Sequence, residues 1–371
     1  MTSVAAWDGT PVDAAPIRWS EVAPAVVPRQ TLVSVEISDG TSSSSSGVAG
    51  LTYYVDPDVT VAHARFDASL SQWLGAAVQG PPRRAAATNP YDPRDEPLRS
   101  TVELAVLDAL GRATGLPVAA FLGGVRRTQL QAYASLPSFG DPGAALSCAS
   151  DAVRAGFAGV KFHATGSLDA DLATIAGASE RLGRATHLMW DASCAYDLYS
   201  AAQVGNALSK GGFLWFEAPL ADDSAEALRS LAHRIQIPLV PDGMAQRAAA
   251  DWARGVADGT WGALRVDVTR AHGIASAVRL LRLSETLGTP CEIQSFGFPL
   301  SQYSNLQLML ATHACRFFEA PFPSLGLDDG LTSPPPLVDG SVLAPVRPGL
   351  GHDVDVELLS ARCRPIAEVS L

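Results

Sequence analysis

Short apolar segments alternate with longer amphipathic segments through most of the chain after about residue 128. The longer segments, such as residues 274–287, carry apolar residues at helical spacing. The short segments predict buried strands, because they are brief, apolar and bounded by glycine, proline or polar residues. Eight strands are predicted, at residues 129–135, 159–163, 187–191, 213–217, 237–242, 263–267, 290–294 and 316–319. Strands that alternate with helices predict parallel β-α units, and eight such strands can close a barrel.

The first hundred residues follow a different pattern. Residues 31–37 and 48–54 each predict a strand, and the serine run Ser42–Ser46 between them predicts a flexible hairpin loop. A helix is predicted next, beginning at a capping box formed by Ser100 and Glu103. This part of the chain therefore has the composition of an α+β unit.

We expect three regions along the chain. Residues 1–125 form an α+β domain, and residues 126–321 form the barrel. Residues 322–371 are rich in proline and glycine, and they are expected to leave the barrel and pack back on the first domain.

The composition argues against several classes of protein. The chain has 371 residues, 47% of them hydrophobic, which is enough for a large core. It has no apolar stretch of about 18 residues and no signal-peptide pattern, so neither a membrane span nor secretion is expected. The net charge of −11 argues against a nucleic-acid partner, since phosphate backbones need clustered Lys and Arg. Five widely spaced cysteines without a C-x-x-C pair predict reduced thiols in a cytoplasmic protein.

Almost every predicted barrel strand ends in a polar residue. From one strand to the next these residues are spaced by about 25 to 30 positions, close to the length of one β-α unit. Parallel barrel strands all end at the same mouth, where the active sites of such barrels lie, so these side chains are predicted to surround one site. They are Lys161, His163, Asp191, Glu217, Asp242, Asp267, Gln294 and Glu319.

Three of these residues are the acids Asp191, Glu217 and Asp242. Three carboxylates in one cavity repel each other unless a cation lies between them. Carboxylate oxygens suit Mg²⁺ or Mn²⁺. The sequence therefore predicts a metal site, although any one of these acids could instead cap a helix or pair with an arginine.

Lys161 and His163 lie two positions apart on one predicted strand, so their side chains point to the same face. A lysine near a divalent cation loses its proton more readily and can act as a base. His163 could then act as the acid that protonates a leaving group. The alternative is a surface lysine and a core histidine.

Several motifs resemble the enolase superfamily, and in particular its mandelate racemase-like subgroup. The similarity covers about residues 30–355, and the K-x-H pair and the position of Asp267 are typical of the subgroup. The matching stretches are VKFH at 160–163, WD at 190–191, WFEAP at 215–219, IPL at 237–239, the helix at 101–124 and PGLG at 348–351.

This resemblance implies the fold class α/β: a modified TIM barrel, (β/α)₇β, with an α+β N-terminal capping domain. It also implies Mg²⁺ bound by Asp191, Glu217 and a third acid, with Lys161 as the base and Glu319 hydrogen-bonded to a substrate carboxylate. The implied chemistry removes the proton α to a carboxylate and forms an enediolate that the metal stabilises.

Two positions depart from the family pattern. The family usually has Gly-Glu at the end of the fifth strand, whereas this chain has Asp242-Gly243. Asp242 is then a ligand only if a bulge or bend redirects its side chain. Gln294 stands where the subgroup often has a histidine paired with the acid at Asp267, and glutamine cannot transfer a proton. We therefore expect a one-sided site, with an ionised Asp267 opposite the base.

These features predict a Mg²⁺-dependent lyase, a dehydratase of a hydroxy-carboxylate such as a sugar acid. The enzymatic alternative is a racemase or epimerase of an α-substituted carboxylate or amino-acid derivative. A third alternative is a non-catalytic relative that only binds carboxylates. Loops near residues 15–30 and 50–60 are expected to set specificity. The expected partners are a small carboxylate substrate and further copies of the chain in a homo-oligomer.

Overall fold

The computed structural model describes residues 1–10, 16–17, 25–38, 43–55, 96–183, 185–221, 224–242, 249–269 and 274–370. Much of the two predicted specificity loops, including residues 18–24 and 56–60, lies outside these ranges.

A four-stranded antiparallel sheet and a long helix make up the cap. The strands are β1 (Ser3–Asp8), β2 (Val27–Ser38), β3 (Ser44–Val55) and β14 (Arg364–Ser370), in the order β14-β1-β2-β3. Helix α1 (Glu96–Thr114) packs on β2 and β3. At Gly47 a side chain would overlap the backbone of Ala105 and Ala109, so glycine allows the helix to approach the sheet closely.

The prediction of a serine-rich loop is wrong where the structure describes it. Ser44, Ser45 and Ser46 are paired residues of β3, opposite residues 36–38 of β2. The Ser45 hydroxyl donates a hydrogen bond of 2.9 Å to the carbonyl of Ala109 in α1. Tertiary pairing outweighs the low strand propensity of serine here. Residues 39–42 lie outside the described ranges.

Eight parallel strands form the barrel, which confirms the predicted fold class. The strands are β4 (Gln129–Ser135), β5 (Gly159–His163), β6 (His187–Asp191), β7 (Phe216–Glu217), β8 (Leu239–Val240), β9 (Leu264–Val266), β10 (Cys291–Ile293) and β11 (Phe317–Pro321). Ladder pairing runs from β11 through β4 to β8 and between β9 and β10. Backbone hydrogen bonds beyond the strand ends, from Gly262 to Leu239 and from Cys291 to Ala314, link the remaining neighbours.

Helices connect the barrel strands and cover their outer faces. They are α3 (Pro142–Arg154), α4 (Leu168–Leu182), α5 (Leu198–Gly211), α6 (Ala225–Ala232), α7 (Ala249–Ala257), α8 (Ile274–Leu287) and α9 (Pro299–Leu310). The short helix α2 (Val118–Phe121) follows α1. No helix among the described residues is long and apolar enough to cross a membrane.

The predicted capping box at Ser100 is also wrong. Ser100 lies inside α1, which already includes Glu96. Glu103 Oε1 accepts from Arg99 Nε of the same helix at 3.0 Å, and Glu103 Oε2 accepts a hydrogen bond of 2.8 Å from the backbone amide of Ile274, at the start of α8. Glu103 thus satisfies the first amide of a barrel helix and connects the cap to the barrel.

The C-terminal region contributes to both parts of the molecule. The hairpin of β12 (Leu337–Val338) and β13 (Ser341–Leu343) adds to the barrel sheet, where β13 pairs antiparallel with β4. After α10 (Val356–Arg362), strand β14 pairs with β1 at the edge of the cap sheet.

A buried polar cluster, here called the cap joint, connects α1 with β3 and the C-terminal region. Its side chains are the buried Asp108 and His352 and the partly exposed Arg112. Asp108 accepts hydrogen bonds from the amides of Val48 at 2.9 Å and Leu350 at 2.7 Å, and from Arg112 Nε at 2.9 Å. The cap joint therefore connects three distant segments of the chain through one carboxylate.

Candidate active site

The barrel interior is built in layers, each from alternate strands, as is usual in barrels of this kind. The lowest layers are mostly apolar and form a floor beneath the site. The floor contains Tyr133, Met189, Trp215, Val240, Ala263 and Phe317.

Above this floor lies a layer of four charged residues, here called the charged layer. Its members are Lys161, Glu217, Arg265 and Glu319, on the second, fourth, sixth and eighth barrel strands. All four are about 1% exposed. Charges alternate in sign around this layer, so each carboxylate has a cation on both sides.

Lys161 lies among three of the predicted carboxylates. Its Nζ is 2.7 Å from Glu319 Oε1, 3.1 Å from Glu217 Oε2 and 3.3 Å from Asp191 Oδ2. The prediction that these strand-end residues converge is therefore correct for this group.

Arg265 is a site residue that the sequence analysis did not identify. Its Nε lies 2.8 Å from Glu217 Oε1, and its Nη2 donates a hydrogen bond of 2.7 Å to Glu319 Oε2. The signal was present in the sequence. Arg265 precedes Asp267 by two positions and so points to the same inward face.

Asp191 and His163 lie one layer nearer the mouth. Asp191 Oδ1 accepts a hydrogen bond of 2.8 Å from the backbone amide of Ser193, which fixes the carboxylate. Asp191 Oδ2 faces both Lys161 and His163 Nε2, which is 3.2 Å away. His163 Nδ1 lies 2.5 Å from the carbonyl of Leu136, so the ring is held on both sides.

Asp242 follows β8 and is half-buried. Val240, two positions earlier, belongs to the interior floor and pairs in register with Glu217. Because side chains two positions apart on a strand point to the same face, Asp242 is expected to point toward the barrel interior, and no bulge in β8 is needed for this. Gly243, the other residue of this departure from the family pattern, lies outside the described residues.

Asp267 and Gln294 lie on β-strand ends away from Lys161. Asp267 Oδ1 accepts hydrogen bonds from the amide and hydroxyl of Thr269, at 2.9 and 2.7 Å, and from Asn305 Nδ2 at 2.9 Å. These three hydrogen bonds hold the Asp267 carboxylate in a fixed orientation. The buried Oε1 of Gln294 has no hydrogen-bond partner in the part of the chain that the structure describes.

The acids of the site differ in the direction in which their surroundings shift their pKa values. Burial raises the pKa of Glu217 to about 8 despite the nearby Arg265, and Asp191 adds to the increase. Burial also acts to raise the pKa of Glu319, but Lys161 and Arg265 outweigh it and lower that pKa to about 2. Burial is likewise outweighed at Asp191, where Lys161 and His163 hold the pKa well below its usual range.

Burial alone would lower the pKa of Lys161, but Glu217 and Glu319 outweigh it and raise that pKa well above its ordinary value. Lys161 is thus a firmly protonated cation while these carboxylates face it. It can accept a proton only when Asp191 and Glu217 are engaged by another cation.

The donor set fits a hard divalent cation. Asp191 Oδ2 and Glu217 Oε2 converge on one cationic group, Lys161 Nζ, and both are carboxylate oxygens of the kind that Mg²⁺ binds. Within the described ranges, no three His, Cys, Asp or Glu side chains already stand at metal-ligand geometry. Mg²⁺ would be held by Asp191 and Glu217, with Asp242 as the third ligand, because the alternation of side chains along the strand directs Asp242 inward.

The chain is similar in sequence to several known enzymes. Arabinonate dehydratase of Saccharolobus solfataricus is 23% identical over 69% of both chains. Aromatic dipeptide epimerase of Herpetosiphon aurantiacus is 26% identical over 71% of this chain and 73% of its own. Muconate cycloisomerase 1 of Rhodococcus opacus is 24% identical over 72% of both chains.

The fold is shared with solved structures. D-glucarate dehydratase from Agrobacterium tumefaciens, solved in complex with magnesium, superposes with a TM-score of 0.73 over 97% of both chains, at 24% identity. Residues 144–358 match the family model for the enolase C-terminal domain-like fold. Because this match covers more than half of the chain, the protein belongs to the enolase superfamily, in its mandelate racemase and muconate lactonizing enzyme family.

Proposed function

We propose that this protein is a Mg²⁺-dependent dehydratase that removes water from a small hydroxy-carboxylate such as a sugar acid. The observation that carries the proposal is the one-sided arrangement of the site. Lys161 and His163 share one face with Asp191, while Gln294 occupies the strand end from which a second acid or base would act.

The reaction begins with the transfer of the substrate α-proton to Lys161. Bound Mg²⁺ would supply the positive charge that stabilises the second negative charge on the substrate carboxylate. The β-hydroxyl then leaves as water with a proton from His163, or from Lys161 itself in a syn elimination. The resulting enol takes up a proton at carbon and becomes a 2-keto acid, so the overall change is the loss of one water molecule.

The decisive experiment follows sugar acids and other hydroxy acids by NMR in D₂O with Mg²⁺ present. A 2-keto product supports the proposal. Inversion at the α-carbon with deuterium incorporation and no keto acid would refute it. The absence of any exchange or product across the panel would favour a protein that only binds carboxylates.

Two variants test the assigned roles. Lys161→Ala should lose α-proton exchange while the fold persists, since no other lysine in the described residues contacts Asp191 and Glu217. Exchange at the wild-type rate would exclude Lys161 as the base. Asp242→Ala should weaken Mg²⁺ binding, and unchanged affinity would show that the third ligand is another group.

Epimerisation is the second candidate, because the relatives include an epimerase of aromatic dipeptides. An epimerase needs a proton donor on the face opposite Lys161, where Asp267 and Gln294 follow β9 and β10. Oδ1 of Asp267 already accepts hydrogen bonds from three donors, and Gln294 cannot transfer a proton. Dehydration makes no such demand, and the one-sided site therefore favours it.

A further inference from the structure

The charged layer forms a closed ring of four ion pairs. Starting at Lys161, the ring passes through Glu217, Arg265 and Glu319 and returns to Lys161, with distances of 3.1, 2.8, 2.7 and 2.7 Å between the paired atoms. Each glutamate uses one oxygen for Lys161 and the other for Arg265. Barrel layers are usually filled by branched apolar side chains, so a layer made entirely of charges calls for a specific role.

The guanidinium of Arg265 is suited to hold two carboxylates at once. Its strand, β9, lies midway between β7, which carries Glu217, and β11, which carries Glu319. Two different nitrogens of Arg265, Nε and Nη2, reach these two glutamates. A planar fork can do this at fixed geometry, whereas a lysine ammonium is a single point charge on a flexible stem.

Arg265 decides which carboxylate oxygens face the site. Glu217 Oε1 is on Arg265, so Glu217 Oε2 is the oxygen that points to Lys161 and converges with Asp191. Glu319 is held in the same way, with Oε2 on Arg265 and Oε1 on Lys161. These oxygens remain oriented from below whatever cation approaches from the mouth.

We propose that Arg265 is a positioning residue of the active site. It restricts Glu217 to one metal-facing oxygen and holds Glu319 in place, and it does so without contacting the cation or the substrate. This inference rests on the proposed function only for the identity of the cation, Mg²⁺.

A purely charge-balancing role for Arg265 makes the opposite prediction. If Arg265 only offset negative charge, its position would not matter, and a lysine at 265 would serve equally well. Removing the charge altogether would make the site more negative and would strengthen Mg²⁺ binding. If Arg265 orients Glu217, the fork itself is required.

The test compares Arg265→Lys with the wild type by isothermal titration with Mg²⁺ alone. Arg316→Lys is the matched control, because Arg316 pairs with Glu292 at 2.6 Å and lies over the ring of Trp215 in the floor, away from the charged layer. We expect Arg265→Lys to bind Mg²⁺ at least about tenfold more weakly, with α-proton exchange reduced at saturating Mg²⁺. Arg316→Lys should bind as the wild type does. Affinity for Mg²⁺ in Arg265→Lys that equals or exceeds that of the wild type would overturn the inference.

A second measurement needs no variant and so does not depend on whether Arg265→Lys folds. In a crystal structure of the wild-type protein with Mg²⁺, Glu217 should bind the ion through Oε2 alone while Oε1 stays on Arg265. Bidentate binding by Glu217, or an Arg265 side chain turned away from it, would overturn the inference and leave the proposed function intact. A wild-type protein that binds no Mg²⁺ would overturn both.

Discussion

The charged layer of the barrel and the cap joint are both buried clusters of charge, but they differ in how their polar atoms are satisfied. In the cap joint, His352 Nε2 lies 2.9 Å from the carbonyl of Val48, and its Nδ1 accepts from the amide of Val354 at 3.2 Å. Asp108 accepts at both oxygens. Around the charged layer, by contrast, Gln294 Oε1 is buried and has no hydrogen-bond partner among the described residues.

This difference separates a structural cluster from a functional one. Buried polar groups in stable structures are almost always hydrogen-bonded, and exceptions mark places where a ligand or a reaction completes the pairing. Burial also opposes ionisation of Glu217, an unfavourable arrangement that folding alone does not require. We therefore expect substitutions in the cap joint to reduce stability, and substitutions around the charged layer to reduce activity.

The largest expected effect is that of Glu217→Gln. Mg²⁺ binding and turnover should fall by about 10²-fold or more, because an amide oxygen is a weaker ligand for Mg²⁺ than a carboxylate. The free energy of unfolding without Mg²⁺ should fall less than it does in Asp108→Asn, since burial already disfavours the charged form of Glu217 and Glu319 still pairs with both Lys161 and Arg265. Titration calorimetry and urea unfolding measure both quantities. Glu292→Gln, in the Glu292–Arg316 pair, is the control and should leave Mg²⁺ affinity unchanged.

Asp108→Asn should reduce stability and leave activity unchanged, the opposite of Glu217→Gln. The amide nitrogen cannot accept from Val48 and Arg112, so buried donors lose their partner and the free energy of unfolding falls by about 2–4 kcal/mol. The kcat/KM of the folded protein should stay at the wild-type value. Asp355→Asn, at the exposed N-cap of α10, is the control, because asparagine caps a helix as well as aspartate does. A large loss of kcat/KM in Asp108→Asn would contradict the comparison.

The pH dependence of stability should also belong to the cap joint. Burial lowers the pKa of His352 below the value of about 6.5 that is usual for histidine, although Asp108 opposes the shift. The unfolded chain therefore binds a proton near pH 6.5 that the native state does not, and stability falls as the pH decreases through that value. Between pH 6.5 and 5 we expect the loss of stability per pH unit to be greater in the wild type than in His352→Gln by up to about 1.4 kcal/mol, because Glu217 and other groups contribute equally to both proteins. Urea unfolding at several pH values measures this slope, and an equal slope in His352→Gln would show that other groups cause it. His313→Gln, at an exposed position, should keep the wild-type slope.

The smallest expected effect is that of Gln294→Leu. The free energy of unfolding should stay within about 0.5 kcal/mol, because the substitution removes a buried acceptor that has no partner. The kcat/KM for a hydroxy acid should fall by about tenfold if Gln294 Oε1 accepts from a substrate hydroxyl. Steady-state kinetics with one active sugar acid measures this. Loss of stability without loss of kcat/KM would place Gln294 with the structural residues.

The barrel was largely predictable because its signals are local. Strands β4, β5 and β6 and helix α8 have the bounds that the apolar pattern predicts. Strands β7 to β10 are shorter than predicted at one or both ends. The apolar pattern of a strand marks its buried residues, and burial continues past the last residue that pairs with a neighbouring strand. The pattern therefore predicts strands that are too long.

Two incorrect predictions share one cause, which is a partner far away in sequence. Glu103 looked like a local cap, yet it serves Ile274. The serines after residue 43 looked like a loop, yet β2 pairs with them and Gly47 allows α1 to pack on them. Arg265 lies one layer below the strand ends, two positions before Asp267, and its side chain points to the same inward face. A search of strand ends alone therefore does not find it.

The pairing of β14 with β1 has a consequence for synthesis of the chain on the ribosome. Ser3 pairs with Ser370, so the edge of the cap sheet is completed only after residue 370 has emerged. The last barrel strand, β11, ends at Pro321, well before β14 begins at Arg364. The barrel can therefore assemble around its charged residues while the edge of β1 still lacks its final partner. The nascent chain has an exposed strand edge throughout that interval, and such an edge is where a chaperone would be needed.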